Sequence, residues 1–542
     1  MVFVPRTPLS GELLGLGTSV ARAVPSDLLV ALASRAVPAD VVQKLVLAGI
    51  FVAGGWGAAR LAPVTTAAGG AAAAALFAWN AHVYERLLIG HWALLVSYAA
   101  LPWVVAAAAA YRKGSARVHR LVAALAVAAC GSPPGALIAA VTALLVVAGR
   151  PWRRAAGVVG AALLLNAPWL LPSVLRPGGV PVRPAGAAAF AARPDGPLGT
   201  LGSLLGLGGI WNALVVPPGH GSWAWWPAFA GVLAVAVLGW RVVLERWQRG
   251  VALGLLAAAA AGLALAAAYA VPGLRVLVDL AVQHVPGGGM IRDAQKFVAP
   301  LALVEAVGFG AGVERLLPLL GSRRWRAVAA AGLVAAPVLL EPGLAWGAAG
   351  RLGAVAYPRD WAEARAVMAA DPAPGAVLVL PWHLYLPLRW NRDRVVLDPA
   401  QRYFTRRAVG NDDLELPGVT VPGEDPYGGR LGPLVRGSAP LAPAVAAQGI
   451  RYVLLLKTGD WAGFPPRLAG LSPVLDNAEL ALYRGPVPAA VRFAGPPAVP
   501  VVLADLLALA TAGWACLGLL PPVAPHRRRL VFSGRSGEGS HR

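Results

Sequence analysis

The chain has 542 residues, of which 57% are hydrophobic and only 13% charged, and its mean hydropathy is +0.63. Soluble domains carry about 25% charged residues, so most of this chain is expected in lipid rather than in water. The formal charge of +21 would suggest nucleic acid for a soluble protein, but the arginines stand in short loops beside apolar segments, so topology accounts for them and nucleic-acid binding is not expected.

At the N-terminus, MVFVPRTPLSGELLG lacks a charged region leading into an apolar one and does not read as a signal peptide. Residues 1–41 contain Pro5, Pro8, Pro25 and Pro38 and an amphipathic run from Asp27 to Ala36, the texture of the second half of an outer loop. Eleven apolar segments approach the roughly 20 residues that a spanning helix needs. They are 42–59, 64–79, 91–111, 119–132, 134–149, 155–175, 225–243, 250–271, 297–317, 326–345 and 498–520. Those at 64–79, 119–132 and 134–149 are short enough to be re-entrant or tilted.

Basic clusters fill alternate gaps: Arg112/Lys113/Arg117/Arg120, Arg150/Arg153/Arg154, Arg241/Arg246/Arg249, Arg315/Arg323/Arg324/Arg326 and Arg527/Arg528/Arg529. Positive charge beside spanning helices stays on the cytoplasmic side. The loops 112–120, 150–154, 241–249 and 315–326 and the basic tail 521–542 are therefore assigned to the cytoplasm. The segments 80–91, 176–224, 272–296 and 346–497 fall on the outer face of the plasma membrane. Trp92, Trp103, Trp223, Trp225, Trp226 and Trp346 lie near span ends, as an aromatic belt does. The odd number of spans leaves 1–41 outside too. The expectation from this parity is that Met1 is an internal start, that 1–41 is a truncated first outer loop, and that a longer form has twelve spans.

Residues 346–497 change texture. Strand-like runs occur at 376–381, 394–397, 452–457 and 480–483, helical patterns at 359–370 and 441–448, and 399–440 reads as a long loop. The predicted fold class is mostly α: a polytopic transmembrane helix bundle over 42–345, completed by 498–520, with a small extracytoplasmic α/β domain near the C-terminus.

Three groups of polar residues stand out. The segment GGGMIRDAQKF (287–297) brings Arg292, Asp293 and Lys296 to the mouth of a span. At i and i+4 of a helix, Arg292 and Lys296 would share a face and clamp a phosphate, the plain alternative being a helix cap with headgroup anchoring. Glu305, about 13 Å deeper by helical rise, and Asp505 in the last span are intramembrane carboxyls, functional candidates unless a neighbouring helix satisfies them or they are protonated. The loop 80–92 packs Asn80, His82, Tyr84, Glu85, Arg86 and His91, offering a base, a cation and donors where a local Glu85–Arg86 pair and a headgroup contact would be the plain reading. Asn166-Ala-Pro-Trp169 reads as a kinked helix end. His220 and His284 stand alone, Cys130 and Cys516 lie in apolar stretches, and no metal site is predicted. No Walker, GxGxxG or GxSxG motif is present in a fitting context, so no nucleotide cofactor is implied.

NAHVYERLLIGHWALLVSYAALPW (80–103), NAPWLLP (166–172), GGMIRDAQKF (288–297), GIRYVLLL (449–456) and ALYRG (481–485) resemble recurring segments of prokaryotic YfhO-like and GT-C glycosyltransferase-like membrane proteins. The resemblance implies a polyprenyl-phosphate-linked sugar as donor substrate on the outer face, an envelope glycan as acceptor, and an acidic catalytic base in the first outer loop. That base has no clear match here. Asp27 and Asp40 in 1–41, with Glu85 in the next outer loop, are the candidates. Either catalysis rests on residues preceding Met1, or the chain as it stands is inactive. Two other readings compete: a lipid flippase or transporter using Glu305, and a non-catalytic envelope-assembly protein.

Overall fold

The computed structural model describes residues 3–114, 118–177, 185–285, 287–416, 418–488, 491 and 494–520. Arg117 and the basic tail 521–542, both assigned to the cytoplasm above, lie outside the described residues. Among those described, seven helical segments are long and apolar enough to cross a membrane: Ala39–Leu61, Trp92–Lys113, Trp152–Leu175, Trp225–Arg246, Arg249–Ala268, Ala294–Leu319 and Ala498–Leu517. The chain is a multi-pass membrane protein with a mostly helical fold. The expected span at 326–345 is broken: Arg323–Leu340 and Pro342–Ala349 meet at 68°, where Pro342 starts the second piece. The remaining three expected spans are helices of 12, 14 and 15 residues, at Ala67–Ala78, Val118–Gly131 and Pro133–Val147.

Those short helices are set by their caps. The Thr66 hydroxyl accepts from Gly69 N at 3.2 Å to start the first. Its far end is closed by Asn80, whose amide donates to the Leu76 and Phe77 carbonyls, both at 2.9 Å, while its oxygen accepts from Val83 N and opens Ala81–Leu88. One side chain thus ends one helix and begins the next. Ser132, followed by Pro133 at the first helical position, turns Val118–Gly131 back into Pro133–Val147. The tip of this hairpin rests on Ser97, whose hydroxyl accepts from Ser132 N at 3.2 Å and donates to Ala128 O at 2.8 Å. A Cβ on Gly131 or Gly135 would come within 2.2–2.3 Å of Ser97, so the approach requires glycine. The arms span about 21–22 Å by helical rise, short of a ~30 Å hydrocarbon core.

Ala299–Leu316 is the central post, with every residue from Ala299 to Val313 buried. Gly308 and Gly312 meet Gly239 of Trp225–Arg246, where a Cβ on Gly239 would stand 1.9 Å from Gly308 O. On its other side Gly310 lies against Gly69. Lipid supplies no hydrophobic drive between helices, so this small-residue packing is what lets backbones approach and gain dispersion contacts.

The basic clusters gather at one end. Arg112 donates to Val146 O at 3.0 Å, Arg154 donates to Arg112 O, and Arg246 binds Glu314 at 2.6 Å and Pro63 O at 2.7 Å. The opposite end carries residues 3–38, the 80–92 turn, 185–224, 272–296 and the α/β domain. These segments interlock: Phe3 packs edge-on to Trp92, Arg351 donates to the Tyr84 hydroxyl, and Arg176 donates to Glu424 O. The aromatic belt is partial. Trp223 and Trp346 are exposed, whereas Trp225 and Trp226 are buried beside His220 and Phe229.

The α/β domain holds strands β1 (Ala376–Leu380), β2 (Tyr385–Leu388), β3 (Arg394–Leu397), β4 (Ala408–Val409), β5 (Leu414–Leu416), β6 (Val419–Val421), β7 (Ile450–Leu456), β8 (Ser472–Asp476) and β9 (Leu480–Arg484). The main sheet runs β4-β1-β7-β9-β8, with β1 parallel to β4 and β7, while β2-β3 and β5-β6 are separate hairpins. Arg359–Ala370 packs Trp361 on one sheet face and Pro426–Arg436 packs Leu431 and Val435 on the other. The 399–440 stretch is therefore not a loop. It contains β4, the β5-β6 hairpin and a helix whose Asp425 cap and Pro426 start outweigh its glycines. Residues 3–38 join this domain: Val4 lies in its core and Asp27 binds Arg402 at 2.7 Å.

The β5-β6 hairpin is clasped to the sheet by His383, which bonds Glu415 at 2.7 Å and Asp460 at 3.3 Å. Partial burial lowers the imidazole pKa, but the hydrogen bond and charge of Glu415, then Asp460, outweigh it and lift the pKa above its ordinary value. The clasp is complete below the ordinary histidine range and is lost as pH rises through the lifted value. Hydrogen exchange over 414–421, corrected for intrinsic rates, should show less protection at about pH 8.5 than at about pH 5.5. The reverse trend would contradict the clasp.

Candidate functional site

The 287–297 segment does not form the expected α-helix. Gly288–Ile291 and Ala294–Val298 are short 3-10 turns on either side of Arg292 and Asp293, so an i, i+4 helical face is not what arranges Arg292 and Lys296. The cause is close packing. Gly288 lies where a Cβ would be 2.2 Å from Ala281 O, and Phe297 O lies 2.0 Å from a Cβ built on Gly262. The backbone is pinned on both sides before the long helix starts at Ala299.

Arg86 is the hub of the site. It is fully buried on Ala81–Leu88, and its guanidinium forks onto Asp293, Nη1 to Oδ2 at 2.5 Å and Nη2 to Oδ1 at 3.0 Å. Nη2 also donates to Gln295 Oε1, and Nη1 donates to His91 Nδ1 at 3.2 Å, which requires that ring nitrogen to be unprotonated. Burial opposes ionisation of Asp293, but the charges of Arg86 and Lys296 outweigh it and hold the carboxyl well below the ordinary range.

Glu85 does not pair with Arg86 as a neighbour would. Its Oε2 accepts from Gln295 Nε2 at 3.0 Å, and Gln295 Nε2 also donates to Gly208 O at 3.0 Å. Burial first, and then the charge of Asp195, raise the Glu85 pKa well above the ordinary value. A carboxyl held protonated donates a proton rather than abstracting one. His82 is fully buried against Tyr98, and burial lowers its pKa to about 3, so it is a neutral ring.

Lys296 is 9% exposed, and among the described residues its ammonium makes no hydrogen bond. Asp293, Arg86, Arg292 and Arg22 are the charges around it. Arg292 donates to Gly289 O at 3.3 Å, lies over the Phe190 ring at 5.7 Å and approaches Glu424 at 3.6 Å. Arg22 also pairs with Glu424, and Arg176 donates to the Glu424 carbonyl at 2.6 Å. Positive charge from four separate parts of the chain therefore surrounds one region between bundle and α/β domain.

The structure brings Arg86, His91, Asp293 and Lys296 together and sets Arg292 beside them, with Glu85 joined through Gln295. It does not bring in the other candidates. Asp27 is engaged by Arg402, Asp40 is exposed and paired with Lys44 at 3.0 Å, and Glu305 and Asp505 lie on their own helices, each with a buried carboxyl oxygen that has no hydrogen-bond partner among the described residues. His220 pairs with Glu341 at 2.7 Å under Trp225. Among the described residues no three His, Cys, Asp or Glu side chains converge as metal ligands. Gln295, Asp195, Glu424, Arg22 and Arg176 were not singled out by sequence. Only Gln295 had a signal, lying inside the RDAQKF segment.

No family model and no curated protein matches the chain. Among solved structures it is similar to the cryo-EM structure of the mycobacterial arabinofuranosyltransferase AftD, with 17% identity and a TM-score of 0.56 over 90% of this chain and 38% of that one. A mutant of the same enzyme matches with 18% identity and a TM-score of 0.54, over 90% of this chain and 40% of that one. The chain thus spans about two fifths of the length of these neighbours. At such identity the likeness is one of fold: the chain shares the GT-C-like architecture of that membrane glycosyltransferase.

Proposed function

We propose that this protein acts with a polyprenyl-phosphate-linked sugar in cell-envelope glycan assembly, and that Lys296 and Arg292 hold the lipid phosphate at the outer face of the membrane. The observation that carries the reading is Lys296, a largely buried lysine whose ammonium makes no hydrogen bond among the described residues. Its nearest carboxylate, Asp293, is already forked by Arg86. A cation partly withdrawn from water and lacking a hydrogen-bond acceptor favours an anionic ligand. In sugar transfer the phosphate leaves with growing negative charge, and fixed cations there stabilise the transition state. Arg86 acts as the positioning residue, because it holds Asp293 and Gln295, the residues that lead into Lys296.

Asp27 is engaged by Arg402, Asp40 pairs with Lys44 on the surface and Glu85 bonds Gln295, so the proposal is confined to donor recognition and leaving-group stabilisation. The GT-C-like fold supports a transferase over a simple transporter. The test is to replace Arg292 and Lys296 by alanine in the producing cell and analyse its envelope glycans. The expected result is a truncated or missing glycan at normal protein level. Unchanged glycans at normal protein level would count against the assignment.

A further inference from the structure

Glu424 sits at the centre of the cation cluster, and the chain goes to some length to put it there. Asp412 accepts from Glu424 N and Asp425 N, each at 2.6 Å, and Asp413 accepts from Gly423 N at 2.6 Å. Two carboxylates thus cage the turn after β6 and aim Glu424 away from the α/β domain. One carboxylate oxygen of Glu424 pairs with Arg22 and lies 3.6 Å from Arg292, while its backbone carbonyl takes Arg176 Nη2. The arrangement is incomplete. Glu424 Oε2 and Arg176 Nη1 are both buried with no hydrogen-bond partner among the described residues. A carboxylate placed only to dock two domains would gain most from a bidentate fork, as Asp293 has with Arg86.

We infer that Glu424 is an internal counter-anion occupying the seat of the ligand's phosphate, and that the ligand displaces it. The lipid phosphate released on sugar transfer is a monoester with three terminal acceptor oxygens and up to two charges, against two oxygens and one charge for Glu424 and for the sugar-bearing diester alike, so it is this monoester that displaces Glu424. It can therefore take Arg22, Arg292 and the idle nitrogen of Arg176 together with Lys296. Glu424 keeps the cations compensated while the seat is empty, and its departure frees the 411–425 strap from the bundle. The inference rests on the lipid-phosphate reading above. A free phosphate has the same anion chemistry, so the two sources are tested separately.

The experiment measures farnesyl phosphate and inorganic phosphate binding to the purified full chain in detergent, for the wild type and for Glu424→Gln, Asp425→Asn and Lys296→Ala. Glu424→Gln is expected to bind farnesyl phosphate about three- to tenfold tighter, since a competing charge is removed. Asp425→Asn, which alters the adjacent carboxylate, should stay within about twofold. Equal or weaker binding by Glu424→Gln while Lys296→Ala still loses affinity would overturn the counter-anion and leave the phosphate site standing. Unchanged binding in Lys296→Ala would overturn the phosphate site itself. Inorganic phosphate binding as tightly as farnesyl phosphate would overturn the lipid source. Hydrogen exchange on the wild type decides the matter should Glu424→Gln fail to fold: protection over 418–425 falls on saturation with farnesyl phosphate, and unchanged or increased protection overturns the displacement.

Discussion

Replacing Arg86 by alanine is expected to destabilise the protein by about 3–5 kcal/mol, the range for removing one partner of a buried ion pair. The cost arises on the side left behind. Asp293 would keep its charge with only Lys296 nearby, Gln295 Oε1 would lose its donor, and His91 Nδ1 would face a void. Arg86→Lys should recover only part of the loss, because an ammonium cannot fork onto both Asp293 oxygens. Arg86→Met combined with Asp293→Leu should be far milder than Arg86→Ala alone, since no orphaned charge remains. Thermal unfolding of detergent-purified protein measures all three. A change below about 0.5 kcal/mol for Arg86→Ala would mean that the buried fork is not a structural element.

Lys296→Ala carries the largest expected effect on ligand binding with little effect on folding. A charge-assisted hydrogen bond to a phosphate in a buried setting contributes about 1.5–3 kcal/mol, so the Kd for farnesyl phosphate should rise roughly ten- to hundredfold. Stability should fall much less than in Arg86→Ala, because the ammonium makes no hydrogen bond in the unliganded protein and contributes only its charge beside Asp293. That smaller stability cost separates Lys296 from Arg86. Loss of stability with unchanged affinity would make Lys296 a structural cation, and the phosphate site would then have to lie elsewhere.

What the sequence disclosed is local or periodic. Helix Arg359–Ala370 and strand β1 fall where hydrophobic spacing predicts them, since each forms from contiguous residues and buries a regular face. The alternation of basic clusters corresponds to real gathering at one end of the bundle, through Arg112, Arg154 and Arg246. Apolar length was a poorer guide. The 64–79, 119–132 and 134–149 segments read as short, re-entrant or tilted spans, and Thr66, Asn80 and Ser132 cap their helices at 12 to 15 residues. In 399–440 the signals of a helix were present at Asp425 and Pro426 but were masked by Gly428, Gly429 and Gly432.

The site was half legible. RDAQKF and YERLLIGH stand out in the sequence as polar segments and the structure joins them, yet nothing in either shows that Arg86 reaches Asp293 across 207 residues. Spacing suggested that Arg292 and Lys296 share a helical face. Backbone contact at Gly262 and Gly288 decides otherwise. Arg22, Arg176 and Glu424 converge only through tertiary structure, and Glu424 stands in a segment that reads as loop.

The most direct measurement is photoaffinity labelling of the purified full chain with a diazirine-bearing farnesyl phosphate, followed by mass spectrometry of the cross-linked peptides. The account expects labels within 288–298 and around Arg22, Arg176 and Glu424, abolished by excess unlabelled farnesyl phosphate and strongly reduced in Lys296→Ala. Labels spread over lipid-facing spans such as Ala498–Leu517, and insensitive to competitor, would contradict it.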